Sequence, residues 1–304
     1  MDPLEDVLSL LQVSSYLSCG MSGGGRWAVA FPPPTGLKFN AVRRGDCWLR
    51  VDGLPDPVRL REGDCFVLTR PHPFTLASDL DLPAEPSHLL FAAAGDGVAR
   101  AGEGDEAFLI GGGFNFVGPA RELLLDDLPP VLHVSASTPE AATVRWAVGE
   151  IDVELRRRPM GGTLVAEHLA LVMLIRILRL HLERDPGRTA GWLAGLADPT
   201  VAAALRGMHA RPAHPWTVAE LARVAAVSRS TLAARFKDVV GKGPLEYLTH
   251  WRVELAAERI RRGETLATVA RSVGYGSESA FSVAFKRTMG CSPRTYRSRL
   301  THQS

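Results

Sequence analysis

The stretch from Leu221 to Tyr296 contains one residue pattern twice. The paired positions, first copy before second, are Leu221/Val269, Ala222/Ala270, Val227/Tyr275, Phe236/Phe285, Lys237/Lys286, Gly241/Gly290, Pro244/Pro293 and Tyr247/Tyr296. The offset is 48 residues up to the Val227/Tyr275 pair and 49 from the Phe236/Phe285 pair onward, so we place one inserted residue inside the later helix of the second copy. Matched Phe-Lys, Gly and Pro positions indicate a repeated structural unit.

Each copy has the pattern of two short helices joined by a tight turn. In the first copy, Thr217 and Glu220 form the pattern of a capping box. Ser228 is then the predicted N-cap of a second helix. In the second copy, Gly274 suits a left-handed turn, and residues 277–288 form the later helix. Two helices joined in this way predict a helix-turn-helix, whose second helix fits the major groove of DNA.

A longer helix is predicted between the two copies. Pro244 occupies its first turn and Gly263 ends it. A helix of about 19 residues spans about 28 Å, so it can hold two recognition helices about one duplex turn apart. The alternative is two plain helical hairpins in an all-α domain, against which the repetition argues.

The segment Trp216 to Arg299 resembles the DNA-binding domain of the AraC/XylS family of transcription regulators. The match is closest over residues 270–287 and 290–296. Two positions depart from the family pattern, because Ala226 stands where Gly is usual and Val283 where Arg is frequent. The resemblance implies a sequence-specific regulator that binds double-stranded DNA and contacts RNA polymerase.

The resemblance and the helix faces together predict the DNA contacts. The residues expected on the first recognition helix are Arg229, Ser230 and Ala233 in the groove, with Arg235 and Lys237 near phosphates. Those expected on and after the second are Glu278, Ser279 and Ser282 in the groove, with Lys286, Arg287 and Arg294 on the backbone. The Glu278 carboxylate can accept from a cytosine amino group, whereas Ala233 offers only apolar contact and discriminates weakly.

Charge is distributed unevenly along the chain. Residues 201–304 contain 17 Lys and Arg against 7 Asp and Glu, a net charge of +10, whereas residues 1–200 carry a net charge of −8. A basic segment attached to an acidic one is typical of a phosphate-binding module joined to a different domain.

The length of 304 residues indicates two domains. We predict an α+β chain with a cupin-like β-barrel sensor domain over residues 1–158, a helical linker or dimerisation region over 159–200, and the all-α DNA-binding domain with two helix-turn-helix units over 201–304. The candidate strands of the barrel are 26–31, 37–42, 47–51, 57–60, 65–69, 74–76, 88–93 and 106–110. The pattern of residues 58–74 resembles the cupin fold, and the first 150 residues resemble the sensor domain of one AraC-family branch.

Many cupins are metalloenzymes, and their metal site needs a close pair of His residues on one strand. The equivalent stretch here contains Phe39 and Asn40, and His72, His88 and His133 occur singly. We therefore expect no metal, no cofactor and no catalysis. Two alternatives stay open, a cupin metalloenzyme with an accessory DNA-binding domain and a regulator that acts mainly through protein contacts.

The sequence identifies no effector, and either a small molecule or a redox signal is possible. Cys19 lies in the Gly-rich stretch 18–25, which is predicted to be a mobile loop that leaves the thiol exposed. We therefore consider Cys19 a candidate sensor of oxidants or electrophiles. In the related sensor domains a second Cys is usual, and here that stretch, 109–113, has none.

Residues 163–184 form a predicted helix that is apolar on most of its surface and must be buried on several sides. It either packs against the barrel or forms the seam of a homodimer, as the sensor domains of the family commonly do. It is too short and too interrupted by Arg176 and Arg179 to span a membrane. With an acidic N-terminus that does not resemble a secretory signal, we expect a cytoplasmic protein with no membrane partner.

Overall fold

The computed structural model describes residues 2–10, 12–95, 97–117, 125, 128–184 and 191–301. The chain forms two compact units. The barrel unit comprises Val13–Phe116 and Leu128–His181, and the helical unit comprises Met1–Gln12, Val117–Asp127 and Leu182–Ser304. The N-terminal twelve residues, which we placed with the predicted sensor domain, thus group with the C-terminal helices. The reason is that Leu4 and Val7 of the first helix are buried there.

The barrel unit contains eleven described strands and three described helices. The strands are β1 (Gln12–Gly24), β2 (Ala28–Phe31), β3 (Leu37–Arg44), β4 (Cys47–Val51), β5 (Val58–Leu60), β6 (Cys65–Leu68), β7 (Phe74–Ala77), β8 (Glu85–Pro86), β9 (Ala99–Gly102), β10 (Ala107–Val117) and β11 (Val131–Val134). The helices are α2 (Ser87–Ala94), α3 (Ala142–Arg157) and α4 (Gly162–Arg184), and a 3₁₀ turn spans Pro139–Ala141.

The strands form two sheets with the orders β11-β6-β3-β10-β1-β9 and β5-β4-β7-β2-β8. Alternation along β4 places Cys47, Leu49 and Val51 inward, because successive side chains of a strand point to opposite faces. These residues pack against Phe66 and Leu68 of the other sheet in one apolar core. The predicted α+β organisation, with an N-terminal unit built from sheets and a C-terminal unit built from helices, is confirmed.

Two local predictions were wrong. Residues 88–93, predicted as a strand, lie in α2, because a Leu- and Ala-rich segment favours helix over strand. The Gly-rich stretch 18–25, predicted as a loop, lies largely in β1. Gly23 is required there by packing, since a Cβ at this position would collide with the Trp27 ring.

The helical unit contains nine further helices whose bounds the structure describes. They are α1 (Pro3–Leu10), α5 (Trp192–Ala197), α6 (Pro199–Ala210), α7 (Val218–Val224), α8 (Arg229–Val240), α9 (Pro244–Arg261), α10 (Leu266–Ser272), α11 (Glu278–Met289) and α12 (Pro293–Thr301). The helix pairs α7/α8 and α10/α11 are the two predicted helix-turn-helix units, and α9 is the predicted helix between them. Among the described residues, no helix has the length and apolarity needed to cross a membrane.

Helix α9 is shared by both helix-turn-helix units. Tyr247 is fully buried beside Phe236 of α8, with ring centroids 5.8 Å apart. Further along, Ala257 and Ile260 belong to the apolar core that contains Phe281 of α11. Both recognition helices therefore pack, through their inner faces, on one central helix.

The two turns differ in length. The N-caps Ser228 and Ser277 precede helices of equal length, 12 residues each, so the extra residue of the second copy is Gly276 in the turn. Our placement of the insertion inside the later helix was wrong. In the turns, Ala226 has φ 55° and Gly274 has φ 87°, so an L-residue occupies the left-handed conformation in the first unit.

We predict that Ala226→Gly stabilises the protein by about 0.5–1 kcal/mol. The left-handed conformation costs an L-residue about 1–2 kcal/mol, and glycine removes this cost. Glycine also makes the unfolded chain more flexible, which offsets part of the gain in stability. Gly274→Ala is the matched control, and it should destabilise by about 2 kcal/mol or more, since its Cβ would lie 2.5 Å from the Ala213 carbonyl oxygen. Urea unfolding followed by tryptophan fluorescence measures both, and a lower stability of Ala226→Gly would contradict the assigned strain.

Candidate nucleic-acid interface

The first recognition helix, α8, begins at a well-defined cap. The Ser228 hydroxyl accepts a hydrogen bond from the Thr231 N–H at 3.1 Å. It also lies 3.0 Å from the Ser230 hydroxyl, so the predicted groove residue Ser230 takes part in the capping cluster. In front of α8, the capping box of α7 is present, with the Thr217 hydroxyl accepting from the Glu220 N–H at 3.1 Å. Both caps were predicted from sequence.

Helix α8 has one buried and one exposed face. Leu232 and Phe236 are fully buried, which fixes the rotation of the helix. Ser230 and Lys237 are exposed and Ala233 is half-buried, at the spacing of three and four residues that places them on one side of the helix. Most of this side is formed by short side chains, so the helix backbone can approach a groove closely.

The second recognition helix, α11, repeats this arrangement. The Ser277 hydroxyl accepts from the Ala280 N–H at 3.1 Å, and Phe281 and Phe285 are fully buried. The predicted groove residues Glu278 and Ser279 are exposed and Ser282 is half-buried, and the predicted backbone contacts Lys286 and Arg287 are exposed. The structure therefore places the predicted residues of α11 at its N-terminus and along the side opposite its buried rings.

Val283 is an exposed residue of α11 that was not among the predicted DNA contacts. Its side chain is 69% exposed although it is large and apolar. It lies four residues after Ser279 and three before Lys286, so it occupies the same exposed side as the predicted groove residues. The sequence signal was available, because Val283 stands at a position where the family frequently has Arg, but its outward orientation required the structure.

Arg235 is held in an ion pair. Its Nε lies 2.7 Å from Oδ2 of Asp198, whose Oδ1 accepts from the Val201 N–H and so caps α6. Burial alone would raise the pKa of Asp198, but the hydrogen bonds from Val201 and Arg235 outweigh it and lower that pKa. Arg235 thus connects the first recognition helix to the start of α6.

Glu278 and Arg294 also lie near each other, with Oε1 and a guanidinium nitrogen 4.0 Å apart. Glu278 is the first residue of α11, where the helix dipole stabilises a negative charge. The side chain of Arg294 is 85% exposed. The carboxylate therefore stays accessible at the helix start while its charge is partly balanced.

A buried polar network lies next to the first helix-turn-helix unit. The two ring nitrogens of His209 lie 2.7 Å from the Tyr247 hydroxyl and 3.2 Å from Oδ2 of Asp6. The His209 ring stacks on Trp251 with centroids 4.0 Å apart. Burial lowers the pKa of His209, and Asp6 opposes this only in part. This network joins α1, α6 and α9.

Arg252 has a structural role on the side of the second unit. Its guanidinium donates to the Pro212 carbonyl at 2.7 Å and to the His214 carbonyl at 2.8 Å. Burial lowers the pKa of Arg252, and its guanidinium lies 5.8 Å from the centre of the Tyr275 ring. The loop before α7 is thereby fixed to α9, so this arginine is not free for DNA.

Cys19 lies in β1, and its side chain is outside the described residues, so its predicted redox role stays a prediction. The thiols of Cys47 and Cys65 are buried, and burial raises the pKa of each to about 12. The described ranges contain no group of three or more His, Cys, Asp or Glu side chains placed to hold a metal ion.

Known proteins match both parts of the chain. A family model described as Cupin matches residues 2–183, and one described as Helix-turn-helix domain matches residues 221–299. A protein from Streptomyces antibioticus named as an AraC-like transcription regulator is 64% identical over 298 residues, which cover 98% of this chain and 98% of that protein. Its counterpart from Streptomyces lividans is 62% identical over the same shares.

Among solved structures, the crystal structure of ToxT from Vibrio cholerae O395 is similar over 96% of this chain and 99% of that chain, with 14% identity and a TM-score of 0.37. The sequence matches confirm the predicted resemblance and its two-part organisation. With its cupin domain followed by a helix-turn-helix domain, and with whole-length relatives of that description, the chain belongs to the AraC-type transcription regulators.

Proposed function

We propose that this regulator binds duplex DNA by inserting α8 and α11 into successive major grooves. The observation that carries the proposal is the pair of matching capped helices, each buried along one face and exposed along the other, on the shared helix α9. The 18 residues of α9 span about 27 Å. That length suits two helices that enter grooves about one duplex turn apart.

The exposed side chains divide by chemistry into base readers and phosphate contacts. In α11, Glu278 is suited to accept from a cytosine amino group, and Val283 offers apolar contact to a thymine methyl. Lys286 and Arg287, near the C-terminal end of the same helix, are suited to the phosphate backbone. Helix α8, where Ser230 and Ala233 face outward, should read fewer bases. Its main contribution should be to position the protein on the DNA.

Two of the predicted phosphate contacts carry a cost. Arg235 would have to leave Asp198, and Arg294 would have to leave the neighbourhood of Glu278. The Arg294 pair is long and exposed, so it is weak and easily released. The Arg235 pair is short and its Asp198 partner is 9% exposed, so we assign Arg235 the smaller share of phosphate binding.

We infer that the barrel unit modulates DNA binding, or contact with RNA polymerase, in response to a small molecule or to oxidation of Cys19. We assign the barrel no catalytic role, because His72, His88 and His133 lie on separate elements, a loop, α2 and β11. A protein that regulates bacterial transcription acts where the chromosome is, so we place it in the cytoplasm.

We propose further that the protein is a homodimer that buries the outer face of α4. Met173, Leu174, Ile177 and Leu178, on one side of α4, are buried. On the other side of the helix, Leu164 is 59% exposed, Val165 46% and Val172 42%. One face of α4 is thus covered within the chain, and a second copy would cover the apolar residues of the other.

The dimer is tested by Leu164→Glu combined with Val172→Glu. Carboxylates at the centre of an apolar seam should weaken dimerisation at least about tenfold, because each must be desolvated without a partner. Analytical ultracentrifugation measures the effect. Leu89→Glu, a change at another exposed apolar residue of the barrel unit, is the matched control and should leave the dimer intact. A monomeric wild-type protein, or a double variant that dimerises normally, would contradict this proposal.

DNA binding is tested by footprinting and by selection of preferred sites with purified full-length protein. Glu278→Ala should cost about 1–3 kcal/mol on the preferred site and relax the base preference at one position. Arg287→Ala should weaken binding to all DNA sequences alike. It should also reduce the slope of log affinity against log salt concentration by about one. An unaltered preferred site for Glu278→Ala would show that α11 is placed wrongly in the groove.

The control variants are Glu246→Ala, in the first turn of α9, and Arg26→Ala, whose guanidinium is exposed in the barrel unit. Neither should alter affinity or site preference. The same footprint with mild oxidant tests the redox signal. A Cys19→Ser protein whose response to oxidant equals that of the wild type would exclude Cys19 as the sensor.

A further inference from the structure

One cavity of the barrel unit combines an apolar wall with a single cation. It has a volume of about 360 Å³ and lies between β2, β3, α2 and the Pro-rich loop 32–34. Its wall contains three phenylalanine rings, of which Phe31 and Phe74 are stacked with centroids 4.6 Å apart, and Phe91 meets Phe31 edge-on at 6.4 Å. Cavities of this size with apolar walls and few polar groups are typical of small-molecule sites. We call it the Lys38 cavity.

Lys38 is the cation of this cavity, and it is oriented toward the barrel interior. In the sheet it is paired with Leu68, a residue of the core between the two sheets. Directly across strands, side chains point to the same face, so Lys38 occupies an inward position at the end of the barrel. It is also the only lysine in residues 1–200.

No counter-ion for Lys38 is present among the residues that the structure describes. Its ammonium group lies 5.5 Å from the centre of the Tyr16 ring, a cation–π contact that compensates only part of the lost hydration. Burial lowers the pKa of Lys38 to about 8. An inward cation without a carboxylate partner costs stability, and such arrangements concentrate at functional sites.

A second unpaired polar group lies deeper on the same face of β3. Asn40 is paired with Phe66 of the core, so it points inward as Lys38 does. It is 6% exposed, and its Nδ2 has no hydrogen-bond partner among the described atoms. Among the described residues, the inner face of β3 therefore carries two donors without an acceptor, Asn40 in the core and Lys38 at the cavity.

We propose that the Lys38 cavity binds an amphipathic carboxylate, with the carboxylate on Lys38 and the apolar body against Phe31, Phe74 and Phe91. A neutral hydrocarbon would leave the ammonium unpaired, and a sugar would leave its hydroxyl groups against phenylalanine rings. An apolar acid satisfies both parts of the cavity. The proposal deepens the inferred control of DNA binding by a small molecule and rests on it only for the regulatory consequence, since ligand binding is measured without DNA.

Four probes with the same ten-carbon chain separate head-group from tail binding: decanoate, decyl sulfate, decanol and decyltrimethylammonium. Calorimetry with the full-length protein should show decanoate and decyl sulfate binding at least about tenfold more tightly than decanol, with no binding of the cation. Lys38→Met, which keeps the chain length and removes the charge, should abolish that preference and leave decanol binding unchanged. Lys242→Met, in the helical unit, is the matched control and should behave as wild type.

Lysine reactivity gives an independent readout. Trace acetylation followed by mass spectrometry reports Lys38, Lys237, Lys242 and Lys286 separately in one sample. Lys38 should titrate near pH 8, and decanoate should protect Lys38 alone. Two other titratable groups face the cavity, the Tyr16 phenol and the His88 imidazole. Decanoate affinity should fall as pH rises above about 8, because the neutral amine no longer pairs with the carboxylate.

Equal binding of decanoate to wild type and Lys38→Met, equal protection of all four lysines, or no binding of decanoate would each overturn the proposal. Failure of the two proposals is distinguishable. Absence of any DNA footprint with normal decanoate binding would contradict only the DNA-binding mode. An intact footprint without decanoate binding would contradict only the ligand assignment.

Discussion

The burial of helix α9 on two sides is the constraint on which the DNA-binding half depends. Tyr247 packs against Phe236 of the first helix-turn-helix unit, and Ala257 and Ile260 lie in the core of the second. Apolar burial contributes about 25 cal/mol per Å², and each unit is too small to bury enough surface alone. The relative placement of the two recognition helices is therefore a property of one shared helix.

The cationic residues of this half of the chain have two roles, binding phosphate and holding the scaffold together. The net charge alone does not distinguish these roles. The net charge of +10 over residues 201–304 indicates a phosphate-binding surface. Arg252 nevertheless holds a loop to α9, and Arg235 holds α8 to the cap of α6. Lys286 and Arg287 are exposed on the second recognition helix. The DNA-binding surface thus consists of fewer cations than the composition provides, and the others make the scaffold rigid.

The barrel unit has an apolar core, but at one end its inner face carries polar side chains, which is unfavourable for stability. Along the inner face of β3, Val42 belongs to the apolar core, whereas Asn40 and Lys38 are polar. An apolar residue at position 38 would avoid the cost of desolvating an ammonium group. Proteins that retain such local costs commonly do so at functional sites. A signal-binding role for this end explains why the polar residues are tolerated.

Sequence determined the helix-turn-helix repeat because its signals are local. The capping box at Thr217, the N-cap at Ser228 and the start of α9 at Pro244 act within one helical turn, so they can be recognised without tertiary contacts. The faces of α8 and α11 followed from the spacing of their buried apolar residues. The strands from β2 to β7 also matched, because β-prone runs between turn residues have a clear period.

Other features were decided only by tertiary structure, because they depend on residues far apart in sequence. The Gly-rich β1 is a strand because it pairs with β9, with Met21 opposite Ala99, and α1 joins the helical unit because Asp6 lies against His209. The pairing of Arg235 with Asp198 and the placement of Lys38 in one cavity with Phe74 and Phe91 are likewise long-range. Local patterns fix which element forms, whereas packing fixes which side chains meet.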